Sequence, residues 1–145
     1  MDIQATGTRA GYSLEEQVGF LLRVAMQRHT VIFTSQMIEN LTQTQFAALA
    51  KLHALGPCSQ NELGRRIFLD AATIKGVVER LRARGFVVSS SDPRDRRRSE
   101  VALTDAGRAT VLEAERIALK ITADTLAPLT QRERQALVSI LRKLA

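Results

Sequence analysis

Residues 59–104 read SQNELGRRIFLDAATIKGVVERLRARGFVVSSSDPRDRRRSEVALT, and the fold turns on this stretch. Two short helical patterns come first. Ser59 and Asp70 stand where each helix needs an N-cap, a side-chain oxygen that accepts from a free backbone N–H. Ser59-Gln60-Asn61-Glu62 also has the spacing of a capping box, which predicts that the Glu62 carboxylate returns to the Ser59 N–H. Leu63 and Ile67 supply the buried side of the first helix; Ile74, Val77, Val78 and Leu81 supply that of the second. Gly85 lies where a left-handed residue closes the second helix near Arg84. The period then changes to that of strands. Phe86–Ser90 and Glu100–Leu103 flank the turn-rich, charged SDPRDRRRS, which predicts a hairpin with a basic loop.

The flanks add helices on both sides. Upstream, Thr42-Gln43-Thr44-Gln45 repeats the capping pattern, and Phe46, Leu49, Ala50, Leu52 and Leu55 carry a helix to Gly56-Pro57, a natural stop. Before it, Ser13-Leu14-Glu15-Glu16 has capping-box spacing and opens a helix expected to run to about Glu39. Its apolar stripe, Leu14, Val18, Leu21, Leu22, Ala25, Ile32 and Phe33, is widened by Val24, Met26, Val31 and Met37. That surface exceeds what one small domain covers, so pairing with a second chain is expected. Downstream, Thr104 restarts a helix lined by Val111, Leu112, Ala114, Ala118, Ile121 and Leu126 as far as Pro128. Thr130-Gln131-Arg132-Glu133 caps a last helix with Ala136, Leu137, Ile140, Leu141 and Leu144 on one side. Residues 1–11 read as a polar tail. The expected fold is mainly α with a small β wing, a single domain of about six helices and a hairpin.

Composition narrows the partners. With 145 residues, 45% hydrophobic and 25% charged, the chain is long enough for one core and is expected to fold. Of its net charge of +6, +5 lies between Lys75 and Arg98, where eight basic side chains face three acidic ones. A positive field that local favours a polyanionic partner. Apolar runs are too short to span a bilayer, the N-terminus lacks a signal peptide's apolar centre, and the single Cys58 has no internal disulfide partner. A cytoplasmic protein that does not engage a membrane is the expectation.

The second helix of the pair is the most informative segment. With Ile74, Val77, Val78 and Leu81 inward, Ala72, Lys75, Gly76 and Glu79 point outward, and Thr73 and Arg80 lie on the flanks. Glycine on an exposed helical face costs about 1 kcal/mol relative to alanine. That loss makes sense if a missing side chain lets the helix approach another surface, such as a DNA major groove, where Thr73, Lys75 and Arg80 offer donors. In the hairpin loop Arg94, Arg96, Arg97 and Arg98 place four guanidinium groups on a tight turn. An arginine at such a tip can enter the minor groove while its neighbours bind phosphates. Asp92 and Asp95 fit such a loop only in structural roles, accepting bonds from an arginine or from the turn backbone.

LTQTQFAALAKL, SQNELGRRIFLDAATIKGVVERLRARGFV and SDPRDRRRSEVALTDAGR, in unbroken order, resemble the core of the MarR family of bacterial regulators, DPRDRR followed by LTDAG being the most specific part. The resemblance implies a winged helix-turn-helix lobe over residues 42–104 and a homodimer built from residues 12–40 and 105–145. It implies double-stranded DNA as partner, with Ala71, Ala72, Thr73, Lys75, Gly76 and Arg80 at the major groove and Arg94 in the minor groove. Ser59 and Gln60, at the start of the preceding helix, join Arg96, Arg97 and Arg98 as further candidate DNA contacts. It also implies repression relieved by a small, often aromatic and acidic effector bound between lobe and dimer region. Candidates to hold such a compound are Arg23 and His29 on the first helix and Phe46 and His53 on the second, a guanidinium gripping the acid group and rings packing against it. Within the family the chain looks like regulators of aromatic-acid catabolism.

Cys58, at the entry to the third helix, reads as a small half-buried residue, with a redox-active thiol as the alternative, since a helix N-terminus can depress a thiol pKa. No cofactor is expected, and no metal-ligand cluster, phosphate loop or nucleophile motif points to an enzyme. The competing reading is a winged-helix or architectural module that binds DNA without regard to sequence and senses no ligand.

Overall fold

The computed structural model describes residues 11–145, apart from the side chains of Asp92 and Arg96. A 3-10 turn, Leu14–Glu16, precedes helices α1 (Val18–Gln36), α2 (Gln43–Leu55), α3 (Gln60–Arg66) and α4 (Ala71–Ala83). Strands β1 (Val87–Asp92) and β2 (Asp95–Leu103) follow, then α5 (Asp105–Thr125) and α6 (Gln131–Leu144). The expected six helices and hairpin are all present. The polar tail expected over residues 1–11 falls, but for Gly11, outside the described residues.

Most helix starts are fixed by their caps. Thr42 with Gln45 and Thr130 with Glu133 form full capping boxes, and Asp70 and Thr104 accept from the Thr73 and Gly107 N–H groups. Ser59 accepts from the Glu62 N–H, but the Glu62 carboxylate does not complete the box: Arg65 and Arg66 hold it instead. The box expected at Ser13 is absent too. Extended backbone at Gln17 (φ −82°, ψ 134°) separates the 3-10 turn from α1, and the Ser13 hydroxyl donates to the Glu15 carboxylate at 3.0 Å. At its other end α1 stops at Gln36 rather than Glu39, because Met37 is extended (φ −65°, ψ 139°), and Glu39 and Asn40 then take left-handed conformations (φ 57° and 50°). Helix α5 ends at Thr125, short of Pro128.

One core runs through the lobe and into the long helices. Phe33 of α1, Met37 just after that helix, Ala48, Leu49 and Leu52 of α2, Leu63 of α3 and Ile74, Val77, Val78 and Leu81 of α4 meet the hairpin base at Phe86, Val87 and Val101. Val111, Ala114 and Ile121 of α5 close it. Each buried aliphatic side chain contributes roughly 1.5–3 kcal/mol. By contrast Val18 and Val31 of α1, Leu119 of α5 and Leu144 of α6 are at least 63% exposed in the single chain. Helix α6 has no buried residue at all.

The hairpin is longer and its turn tighter than expected. The strands pair from Val87↔Leu103 to Ser91↔Ser99, and after a register irregularity Asp92 pairs with Asp95, leaving Pro93 and Arg94 as the turn. Arg96, Arg97 and Arg98 therefore lie on β2 within that irregularity, not on a nine-residue loop. Ladder bonding needs only backbone groups, so the polar side chains that signalled a loop do not prevent it. Cys58 adds a rung on the far side of β2, its N–H donating to the Val101 carbonyl (3.2 Å) and its carbonyl accepting from the Val101 N–H (2.8 Å).

The turn between α3 and α4 carries a strained residue. Phe68 has φ 59° and its side chain is 85% exposed, so burial does not offset the roughly 1–2 kcal/mol that a left-handed conformation costs an L-residue. Phe68→Gly is expected to raise stability by about 0.5–1 kcal/mol, after allowing for glycine's greater freedom in the unfolded chain. Thermal unfolding at one protein concentration checks this, and a lowered midpoint contradicts it.

Candidate nucleic-acid interface

Helix α4 presents the face that its period predicts. Ile74, Val77, Val78 and Leu81 are buried, while Ala71, Ala72, Thr73, Lys75 and Arg80 are exposed and Gly76 is half-buried. Asp70 fixes the first turn by accepting from the Thr73 N–H at 2.7 Å, and this bond holds its carboxyl below the usual carboxylate range. Gly76 and Arg80 are neighbours: a Cβ added at Gly76 would lie 3.5 Å from a guanidinium nitrogen of Arg80. The surface left open by the glycine is thus edged by a cation on the same helical face. Gly64 of α3 sits so close to Ile74 of α4 that an added Cβ would meet the Ile74 side chain at 3.0 Å, which sets the spacing of the helix pair.

Ser59 and Gln60 lie at the start of α3, both half-buried. The Ser59 hydroxyl already accepts from the Glu62 N–H at 3.1 Å, leaving its own proton for another acceptor. In the hairpin Arg94 is exposed within the two-residue turn, and Arg97 and Arg98 are exposed on β2. Asp95 acts structurally, as expected, its carboxylate accepting from the Arg97 N–H at 3.0 Å. The expectations for the side chains of Asp92 and Arg96 lie outside the described residues.

Helix and hairpin belong to one rigid unit. Gly85 (φ 77°) turns the chain, the Phe86 N–H donates to the Leu81 carbonyl at 3.0 Å, and Val87 enters the same core as Val78. Farther out, the Arg82 guanidinium donates to the Ser89 hydroxyl, tying the last turn of α4 to β1.

The candidate ligand residues lie on α1 and α2, and two of them bond side chains of α5. His29 shares a 2.8 Å hydrogen bond with the Thr125 hydroxyl, and its ring lies 6.3 Å from that of Phe33, which in turn lies 6.2 Å from Phe46. Phe46 lines an open groove with Leu112, Glu115, Arg116, Ala118 and Leu119. Glu115 also bonds His53 at 3.0 Å, so a residue of the groove that Phe46 lines is held by His53. Arg23 is apart from this chain of contacts, with its guanidinium over the Phe20 ring one turn back on α1 (5.4 Å).

Several tertiary contacts had no signal in the sequence. Arg28 donates to the carbonyls of Asp124 and Thr125, satisfying the C-terminus of α5 from the side of α1. Asp124 accepts from Lys120 and Gln36, both at 2.7 Å, and these bonds lower its pKa, Lys120 foremost. Burial pushes the Cys58 thiol up, the carboxylates of Glu62 and Glu100 adding to the effect, which disfavours the reactive thiolate. Among the described residues no group of three or more His, Cys, Asp or Glu is placed to hold a metal ion, and no helix is long and apolar enough to cross a membrane.

The sequence profile of the MarR family matches residues 41–99. The HTH-type transcriptional repressor NicR of Pseudomonas putida is 45% identical over 134 residues, covering 92% of this chain and 85% of NicR. The crystal structure of a probable transcriptional regulator from Pseudomonas aeruginosa superposes with a TM-score of 0.89 at 47% identity, covering 92% of this chain and all of that one. A structure of Bordetella bronchiseptica BpsR, described as showing how 6-hydroxynicotinic acid regulates its DNA binding, superposes with a TM-score of 0.86 at 44% identity over 92% and 96% of the two chains.

Proposed function

The chain belongs to the MarR family, and from that premise we propose that it is a homodimeric transcriptional repressor whose grip on its operator is released by a small aromatic acid. Residues 42–104 form the DNA-binding lobe in this reading. Ala71, Ala72, Thr73, Lys75, Gly76 and Arg80 face the major groove, Arg94 enters the minor groove, and Ser59, Gln60, Arg96, Arg97 and Arg98 contact the backbone or groove edges. The observation that carries it is the joint anchoring of α4 and the hairpin in one core, which lets one lobe address both grooves at a fixed spacing. Residues 12–40 and 105–145 pair with a second copy, covering the apolar side chains that α1, α5 and α6 expose. The two lobes then meet successive major grooves about 34 Å apart, which makes the operator pseudo-palindromic. Such a protein acts in the cytoplasm, beside its DNA, and catalyses no reaction.

BpsR, with its 44% identity, points to a hydroxylated pyridine carboxylate as effector class. His29 and Phe46, joined through Phe33, and His53, against Glu115 of α5, supply rings and imidazoles for such a compound, with Arg23 at a greater remove. Release requires that the compound bind the DNA-free conformation more tightly than the DNA-bound one.

The test uses a duplex enriched from a random-sequence pool by repeated selection on the full-length protein. Its affinity is expected to exceed that for unselected duplex by about a thousandfold or more. 6-Hydroxynicotinic acid should weaken binding to the selected duplex, and calorimetry should register its binding to the free protein. Equal affinity for selected and unselected duplex supports the non-sensing architectural module instead. Specific binding that neither this acid nor related aromatic acids disturb removes the effector part alone.

A further inference from the structure

The last described side-chain contact between α4 and the hairpin is the bond from Arg82 to Ser89. Arg82 lies in the final turn of α4, between buried Leu81 and the cap at Arg84, and Ser89 is the third residue of β1. Side chains alternate along a strand, so Ser89 shares the face of Val87, the face directed at the lobe. Val87 is buried, whereas Ser89, Ser90 and Ser91 are exposed. Core packing thus fixes the base of the hairpin and ends at Val87 on this strand. Beyond Val88, β1 runs to the turn at Pro93–Arg94 as three serines and one aspartate whose backbone pairs with β2, where Val101, the partner of Ser89, is buried.

We propose that Arg82 is a positioning residue for DNA binding: by holding Ser89 it sets the angle at which the hairpin leaves α4, and hence where Arg94 meets the duplex. At this rung β2 is held by buried Val101 and its two bonds to Cys58, and the Arg82 bond holds β1 at Ser89 to α4. The two ties together fix the tilt from which the free tip, where displacement is largest, projects. The charge of Arg82 lies on the same helix as the residues assigned to the major groove, so composition alone would count it among the phosphate anchors. Its hydrogen-bond partner points to a different task. This inference rests on the DNA-binding reading above and adds to it a residue outside that interface.

A double-mutant cycle separates the two roles. Arg82→Ala, Ser89→Ala and the double variant are compared with the unaltered protein on the selected duplex, over a series of salt concentrations. If Arg82 positions the hairpin, each single variant weakens binding by about three- to tenfold, a charged hydrogen bond's worth at an exposed site. The double variant is then no weaker than Arg82→Ala, because both changes remove the same bond. The slope of log affinity against log salt stays unchanged, and Ser89→Thr, which keeps a hydroxyl, restores affinity. If Arg82 is instead a phosphate anchor, Ser89→Ala binds normally while Arg82→Ala lowers the slope by about 0.9 for each phosphate left unneutralised; that result overturns the proposal. Should no duplex be enriched at all, the DNA-binding reading itself fails, a distinct outcome. Unchanged thermal unfolding in both single variants shows that weakened binding does not come from a damaged fold.

Discussion

Arg94→Ala is expected to weaken binding to the selected duplex by about a hundredfold, two copies per dimer at roughly 1.4 kcal/mol each. The reason begins with the backbone. Asp92 pairs with Asp95, so the chain reverses in two residues, and one of them is Pro93, whose ring fixes φ. Arg94 is the other, exposed at the outermost point of the hairpin and distant from the buried residues that hold the lobe together. Its removal therefore costs the fold little. Its position suits the minor groove, whose narrow tracts concentrate negative potential and attract an inserted guanidinium. Arg97 and Arg98 sit farther back on β2, where contact with phosphates is the geometry available. Arg98→Ala is the natural comparison: it should lower the salt slope by about 0.9 per phosphate and weaken all sequences alike. Arg94→Ala should in addition flatten the preference between selected and unselected duplex. A protein lacking the Arg94 side chain that binds the selected duplex normally would remove the hairpin tip from the interface.

What the sequence disclosed and what it withheld divide along the range of the interactions. Caps at Thr42, Asp70, Thr104 and Thr130 are contacts between residues three apart, so the local pattern contains them, and all four form. The inward side of α4 follows from period alone, and its four apolar residues are buried. Local patterns fail where a competing local contact wins. Glu62 goes to Arg65 and Arg66 rather than back to Ser59, and Ser13 is cut off from α1 by the extended Gln17. The strands outrun their sequence signal for a related reason. Ser91 and Asp92 on one strand and Asp95 to Ser99 on the other lay outside the expected strands, yet they belong to β1 and β2 all the same. Beyond that range lie the ties of Arg28 to the end of α5, of His53 to Glu115 and of Arg82 to Ser89. These depend on how whole elements cross, and no spacing in one sequence encodes them. For the same reason the four ligand candidates were legible as residue types but not as a constellation: Phe33 links His29 to Phe46, Glu115 of the groove lined by Phe46 bonds His53, and Arg23 stacks elsewhere.

Gly107→Ala is expected to destabilise the protein by about 3 kcal/mol, the upper part of the usual range for overpacking. A fall of about 10 °C in the unfolding midpoint follows for a chain of this size. Most helical glycines replaced by alanine gain stability, since alanine is the better helix former by about 1 kcal/mol. At Gly107 that gain is overwhelmed, because an added Cβ would lie 1.9 Å from the Phe86 carbonyl oxygen and 2.9 Å from its carbonyl carbon. Neither atom can move freely. The Phe86 oxygen accepts from the Thr104 N–H, the Thr104 hydroxyl donates to the Gly85 carbonyl, and the Gly107 N–H donates to that same hydroxyl. Four residues are thereby bound at the point where the end of α4, the start of β1 and the start of α5 come together. Gly76→Ala gives the contrast within one molecule. There the added carbon meets only a guanidinium at 3.5 Å, an ordinary contact, so stability should rise by about 1 kcal/mol while DNA affinity falls if α4 lies against the groove. Two glycines on helices of one chain would then serve opposite needs: Gly107 admits a backbone from within the protein, and Gly76 admits a surface from outside it. Thermal unfolding of both variants at matched concentration decides the first half, and an undiminished midpoint for Gly107→Ala would mean that α5 does not start against the Phe86 carbonyl.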